Sequence, residues 1–162
     1  MRTVIGVMGA GRPLDGVASA LAYDLGAKIA RRGWVLLTGG SACGVMDAAS
    51  KGASEAGGLV IGVLKDETGV AASRYLDIAI KTGMGDARNV INVLSSDVVI
   101  ALPGGSGTIS EVALGVKSGK TVIVLGWDPG DAMRASGPGR LLSAPTADEA
   151  LDLAAAALEA LA

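Results

Sequence analysis

Val98-Val99-Ile100-Ala101-Leu102-Pro103-Gly104-Gly105-Ser106-Gly107-Thr108-Ile109-Ser110-Glu111 is the stretch from which the architecture is read. An apolar run rich in β-branched residues passes straight into a proline, a glycine turn and a helical pattern. Apolar side chains at successive positions fit a strand covered on both faces, as in a parallel sheet. Glycines let a backbone approach a ligand closely, and the free N–H groups of a helix start attract anions such as phosphate. The same strand–glycine–helix unit recurs at Met8-Gly9-Ala10-Gly11-Arg12 and at Thr38-Gly39-Gly40-Ser41-Ala42-Cys43-Gly44-Val45-Met46. One such loop is weak evidence; repetition points to a phosphate-bearing small molecule.

Working outward, short β-branched runs alternate with longer helical patterns. Strands are expected near Thr3–Met8, Trp34–Thr38, Leu59–Leu64, Asp77–Lys81, Asp97–Leu102, Thr121–Leu125 and Leu141–Ala144. Helices are expected near Leu14–Arg32, Gly44–Ala56, Asp86–Ser95, Thr108–Ser118 and Ala147–Leu161. Thr146-Ala147-Asp148-Glu149 matches a capping box, followed by an apolar stripe of Leu151, Ala154, Leu158 and Leu161. Trp127–Gly139 reads as loop with one helical turn at most, and Lys65–Arg74 as a long polar connection. Without linker or repeat, residues 1–162 read as a single α/β domain. The pattern predicts a doubly wound, mainly parallel sheet of about seven strands flanked by helices.

Composition narrows the chemistry. The 162 residues carry no histidine and one cysteine, Cys43. Ser-His-Asp and Cys-His nucleophile systems cannot be built, nor can zinc sites based on imidazole or several thiolates. No protein-ligated metal is expected. A net charge of −2, no basic run, no Phe, two Trp and two Tyr argue against nucleic acid as a partner. Half the residues are apolar, yet no run approaches the roughly 18 needed to cross a bilayer. The N-terminus shows no secretory cleavage pattern, and a lone cysteine suits a reducing compartment. The expectation is a cytoplasmic protein with no membrane contact.

The loops differ in what they exclude. In the first, Leu14 stands where a dinucleotide fingerprint needs its third glycine, and no acidic residue closes the second strand. The second lacks the Gly-Lys-Ser/Thr ending of a nucleoside-triphosphate loop; its glycines serve either a tight turn or a ligand. Cys43, at a helix start, is either activated there or simply small enough to fit. In the third loop, Thr108 and Glu111 have capping-box spacing, so Glu111 is either a cap or a pocket carboxylate acting as base or hydroxyl acceptor. Finally, in Gly83-Met84-Gly85-Asp86-Ala87-Arg88-Asn89, Asp86 is expected to cap a helix and place Arg88 in its first turn. A cation there is unfavourable by about 0.3–1 kcal/mol unless a bound anion reverses the sign. The candidate ligand-binding set is Gly9, Gly11, Gly39, Gly40, Gly44, Met46, Arg88, Gly104, Gly105, Ser106, Gly107, Thr108 and Glu111.

Gly39-Gly40, Gly44-Val45-Met46, Arg88 and Pro103–Glu111 together resemble the LOG family, long misnamed lysine decarboxylases. The resemblance covers nearly the whole chain. It implies a Rossmann-like fold, a homodimer or larger assembly, and hydrolysis of the N-glycosidic bond of nucleoside 5′-monophosphates. Arg88 and Glu111 match the catalytic pair of those enzymes; neither pyridoxal phosphate nor lysine decarboxylation is implied. The enzymes carry Met-x-x-Arg-Lys where this chain has Gly85-Asp86-Ala87-Arg88-Asn89. Other segments resemble the molybdenum-cofactor carrier proteins more closely. These are Ile5–Gly9, Gly33-Trp34, Leu36–Gly40, Gly44-Val45-Met46, Lys51–Gly58, Ala87-Arg88-Asn89, Ile91-Asn92 and Leu94-Ser95-Ser96. That group shares the fold and holds a phosphorylated pyranopterin without needing to cleave it. The resemblance implies a carrier of the molybdenum cofactor, with a nucleoside-monophosphate phosphoribohydrolase as the alternative. The partner is then a phosphorylated small molecule, pterin or nucleoside monophosphate, bound by a homodimer or homotetramer. The surplus apolar residues of Val90–Leu94 and Ile109–Val116 would be buried between subunits.

Overall fold

The computed structural model describes residues 1–160. Seven strands, β1 Val4–Met8, β2 Val35–Thr38, β3 Val60–Leu64, β4 Ile78–Lys81, β5 Val98–Ala101, β6 Thr121–Leu125 and β7 Arg140–Ala144, form one sheet. Their order is β4-β3-β2-β1-β5-β6-β7, and every pairing is parallel. The chain steps outward from β1 to β4, then returns to the other side of β1 and steps outward again. Strand order therefore reverses between β1 and β5, where a crevice opens beyond the strands' carboxyl ends.

The helices are α1 Gly16–Arg31, α2 Gly44–Glu55, α3 Asn89–Leu94, α4 Ser106–Lys117, α5 Asp131–Arg134 and α6 Ala147–Glu159. On one face of the sheet Ile5, Val7, Ile100, Leu102 and Ile123 pack with Leu25 and Ile29 of α1, Val45 of α2 and Leu151 of α6. On the other, Met8, Val99, Ala101, Val122 and Val124 pack with Val112 and Val116 of α4. Neighbouring residues of the central strands feed opposite cores, which is why those strands read as apolar at successive positions. Asp77 and Asp97 sit just before their strands. Each carboxylate accepts the first amide of the adjacent strand, from Val60 and Val4 respectively, both at 2.8 Å.

Three local expectations are corrected. Asp86–Ser95 is not one helix but a 3-10 turn, Gly85–Arg88, followed by α3. Gly83 and Gly85 adopt φ of +63° and +57°, conformations that only glycine takes without strain, and the residue before the turn is Met84 with no side-chain cap. Asp86 does not cap, and Arg88 stands just before α3. The helix after the third loop begins at Ser106 behind Gly105, again without a side-chain cap. Thr108 is thus its third residue, and no Thr108–Glu111 capping box forms. Around α6 the expected cap does form, with the Thr146 hydroxyl accepting from the Glu149 amide at 3.2 Å. Leu151 and Ala154 are buried, while Leu161, expected to end that helix, lies outside the described residues. Among the described residues no helix is long and apolar enough to cross a membrane.

Candidate functional site

The carboxyl ends of β1 and β5 are tied together where strand order reverses. The Leu102 amide donates to the Met8 carbonyl at 2.9 Å, and the Ala10 amide to the Pro103 carbonyl at 3.2 Å. Over this junction lies a cavity of about 300 Å³. Gly9 and Gly11 line it from the first loop, Gly39, Ser41 and Met46 from the second, and Gly105, Ser106, Gly107, Thr108 and Glu111 from the third. Asp86, Arg88 and Asn89 complete that side. Most of the residues singled out in the sequence therefore converge on one space.

Gly40, Gly44 and Gly104 do not line it, and the backbone explains why glycine stands there. Gly40 and Gly44 have φ of +73° and +68°. A Cβ on Gly44 would run into the Ala10 carbonyl, and one on Gly40 into the Leu64 side chain. A Cβ on Gly104 would collide with the Thr108 hydroxyl. These three shape the loops from behind. Gly39 is different: its missing side chain leaves the space that the Arg88 guanidinium and Met46 sulfur occupy.

Arg88 is 9% exposed and Glu111 is 6% exposed. Their closest approach, Nη1 to Oε1, is 3.5 Å, too long for a tight ion pair. Nη1 of Arg88 donates instead to Oδ1 of Asn89 at 2.7 Å, while Nη2 reaches the Gly39 carbonyl only at 3.5 Å. Its Nε is buried with no partner. A buried guanidinium with most of its donor capacity unused favours an incoming anion. Glu111 accepts from Nδ2 of Asn92 at 2.8 Å. Burial raises its pKa above the ordinary carboxylate value; the Asn92 hydrogen bond and the Arg88 charge pull the other way. Beside them the uncapped start of α4 presents amides that lack intrahelical acceptors.

The opposite wall escaped the sequence reading. Lys65, Asp66 and Ala71 of the long connection after β3 line the cavity. That connection is strapped across the second glycine loop. The Ala42 amide donates to the Ala71 carbonyl and the Ser73 amide to the Gly40 carbonyl, each at 2.8 Å, and the Ser73 hydroxyl donates to Asp47 at 2.6 Å. The signal was its polarity and lack of helical pattern, since a parallel pair such as β3 and β4 needs a crossover of about a dozen residues in any case. Asn89 and Asn92 were also missed as site residues. Cys43 stands at the N-cap of α2, half-buried and outside the cavity lining. No cluster of three or more potential metal ligands occurs among the described residues.

Comparison with known proteins agrees with the motifs. The molybdenum cofactor binding protein of Rippkaea orientalis is 44% identical, with 98% of each chain covered and a TM-score of 0.89. The Moco carrier protein of Chlamydomonas reinhardtii is 40% identical, covering 98% of this chain and 99% of that one, also with a TM-score of 0.89. A cytokinin riboside 5′-monophosphate phosphoribohydrolase of Mycobacterium tuberculosis is 33% identical over 140 residues, 81% of this chain and 75% of that protein. Both resemblances read from the sequence are thus found again in whole-chain comparison. With a family model matched from residue 2 to residue 150, this chain belongs to the SLOG cluster4 family.

Proposed function

We propose that this protein binds a phosphorylated heterocycle in the cavity and serves as a carrier of the molybdenum cofactor. The observation that carries the reading is Arg88: buried, under-bonded and facing the cavity beside the open amides of α4. In this reading the amides around Gly105–Thr108 take the phosphate, Arg88 neutralises it, and Thr108 and Glu111 fix polar groups of the ring system. A cavity of about 300 Å³ is at the lower end of the range for small-molecule pockets. The relatives from Rippkaea orientalis and Chlamydomonas reinhardtii support the pterin as cargo. The metal would travel with that cargo rather than on protein ligands.

The second reading is a nucleoside 5′-monophosphate phosphoribohydrolase, favoured by Arg88 and Glu111 sharing one cavity and by the Mycobacterium tuberculosis relative. There Glu111 would activate water or hold the ribose, and Arg88 would stabilise charge as the glycosidic bond breaks. A cytoplasmic homodimer or homotetramer belongs to either reading, supported by the lone free Cys43 and by apolar side chains left exposed on α3 and α4. Native mass spectrometry of wild type and Arg88→Ala, each purified from the protein's own source, tests the proposal. Wild type should retain a phosphorylated pterin that Arg88→Ala loses. Wild type that arrives empty and releases ribose 5-phosphate from AMP would replace the carrier by the enzyme.

A further inference from the structure

Asn92 lies three residues after Asn89 on α3, so both amides leave the helix on one side, toward α4. Asn89 donates to the Ser110 hydroxyl at 3.1 Å, and Asn92 donates Nδ2 to Oε1 of Glu111 at 2.8 Å. Asn92 is completely buried, and its Oδ1 has no partner. Burying an amide acceptor unpaired is unfavourable, and a leucine of similar size would avoid it. What the amide provides in return is its donor end. Reversing it would set Oδ1 against Oε1, two acceptors face to face, so the orientation follows from a carboxylate at Glu111. On the other side of that carboxylate, Oε2 has no hydrogen-bond partner among the described residues, and Glu111 lines the cavity.

We infer that Asn92 is a positioning residue of this cavity: it grips Oε1 of Glu111 from behind, leaving Oε2 alone to accept an N–H or O–H group of the ligand. The inference rests on the ligand-binding reading above and sharpens it. An anionic group goes to Arg88 and the α4 amides, while the end facing Glu111 carries a donor, such as a ring amino group or a sugar hydroxyl. Burial works against the charge on Glu111, and two groups offset it: the Asn92 amide and the Arg88 guanidinium, the charged group packed against it at 3.5 Å. Asn92 makes the shorter contact. The departure from the Met-x-x-Arg-Lys pattern places an amide, Asn89, on Arg88, and Asn92, outside that pattern, places a second on Glu111.

Carbon-13 NMR titration of the full chain labelled at glutamate carboxyls tests this, with Glu111→Gln identifying the Glu111 signal. In Asn92→Leu the Glu111 midpoint should rise by about one pH unit or more while the other glutamates stay in place. An unchanged midpoint in a folded Asn92→Leu overturns the inference. Should that variant fail to fold, the Asn92 side-chain amide protons of wild type are followed instead. They must move with the Glu111 midpoint, and amide protons that ignore it overturn the inference equally. Saturating AMP should shift the Glu111 signal and lower its midpoint, because a donor on Oε2 favours the charged form. AMP that binds without touching this signal removes the assigned role of Oε2. AMP that does not bind at all counts against the phosphate reading, and the ligand-free titrations still decide the role of Asn92.

Discussion

Arg88 and Glu111 line the same cavity, yet they do not neutralise each other at contact distance. Each is held by an asparagine of α3, and the 3.5 Å between them leaves both open toward the cavity. In the ligand-binding reading proposed above such an arrangement gives up stability for binding, and pH exposes the cost. The raised pKa of Glu111 means that the folded chain keeps a proton the unfolded chain has already released. This group's contribution to stability is complete below the ordinary value of 4.5 and is lost as pH rises through the raised folded value. Glu111→Gln does not ionise. Wild type should therefore lose stability relative to Glu111→Gln between pH 4.5 and pH 7, as urea denaturation at the two pH values will measure. Parallel pH profiles for the two proteins would show that the carboxyl is not perturbed in the folded state.

At the scale of elements, the contact of α1 with α2 depends on glycines within the helices. A Cβ on Gly52 of α2 would meet the Tyr23 carbonyl of α1, and one on Gly26 of α1 would meet the Ala49 carbonyl of α2. In an exposed helix, glycine to alanine stabilises by about 0.5–1 kcal/mol. Here the obstacle is backbone, which cannot swing aside, so the sign reverses. Gly52→Ala should destabilise by about 1–3 kcal/mol, whereas Gly16→Ala, with nothing within 4 Å of its Cβ, should not. Thermal unfolding of the pair decides it; a Gly52→Ala variant as stable as wild type would mean that the helices have room to part. This packing matters to the site because α2 carries Met46 at its start, directly beneath the second glycine loop.

At the scale of the whole molecule, several large apolar side chains stay exposed on α3, α4 and β4. Val90 and Leu94 of α3 and Ile109 of α4 are 41%, 54% and 45% exposed. Ile78 and Ile80 of the edge strand β4 are also exposed, and they stand in register with Ile61 and Val63. Ile61 and Val63 belong to the α4-side core, so the exposed strand residues extend the same face. A second copy of the chain is the occupant we propose for α3 and α4, since both bear the apolar surplus and both line the cavity at their starts. Leu94→Lys should convert the assembly to monomers without unfolding it, as light scattering at micromolar concentration will report. Wild type that is already monomeric would refute the assembly.

The sequence by itself determined what local rules govern. Strands mostly apolar at successive positions, three of them ending in glycine loops, point to a parallel sheet with helices on both faces. The lack of histidine removed whole classes of chemistry, and the glycine loops with Arg88 and Glu111 located the cavity. Element bounds came within about two residues wherever caps or alternation were local. Only the tertiary structure decided the rest. That Gly40, Gly44 and Gly104 shape the loops from behind follows from what a Cβ would strike: Leu64 of β3, the Ala10 carbonyl of the first loop and the Thr108 hydroxyl of α4. That Lys65, Asp66 and Ala71 form the far wall follows from a strap whose hydrogen bonds reach back to residues 40–47. Asn92 reads in the sequence as a polar residue in a short apolar helix. Its meaning depends on Glu111, 19 residues away, and on burial that turns one amide proton into the grip on a carboxylate.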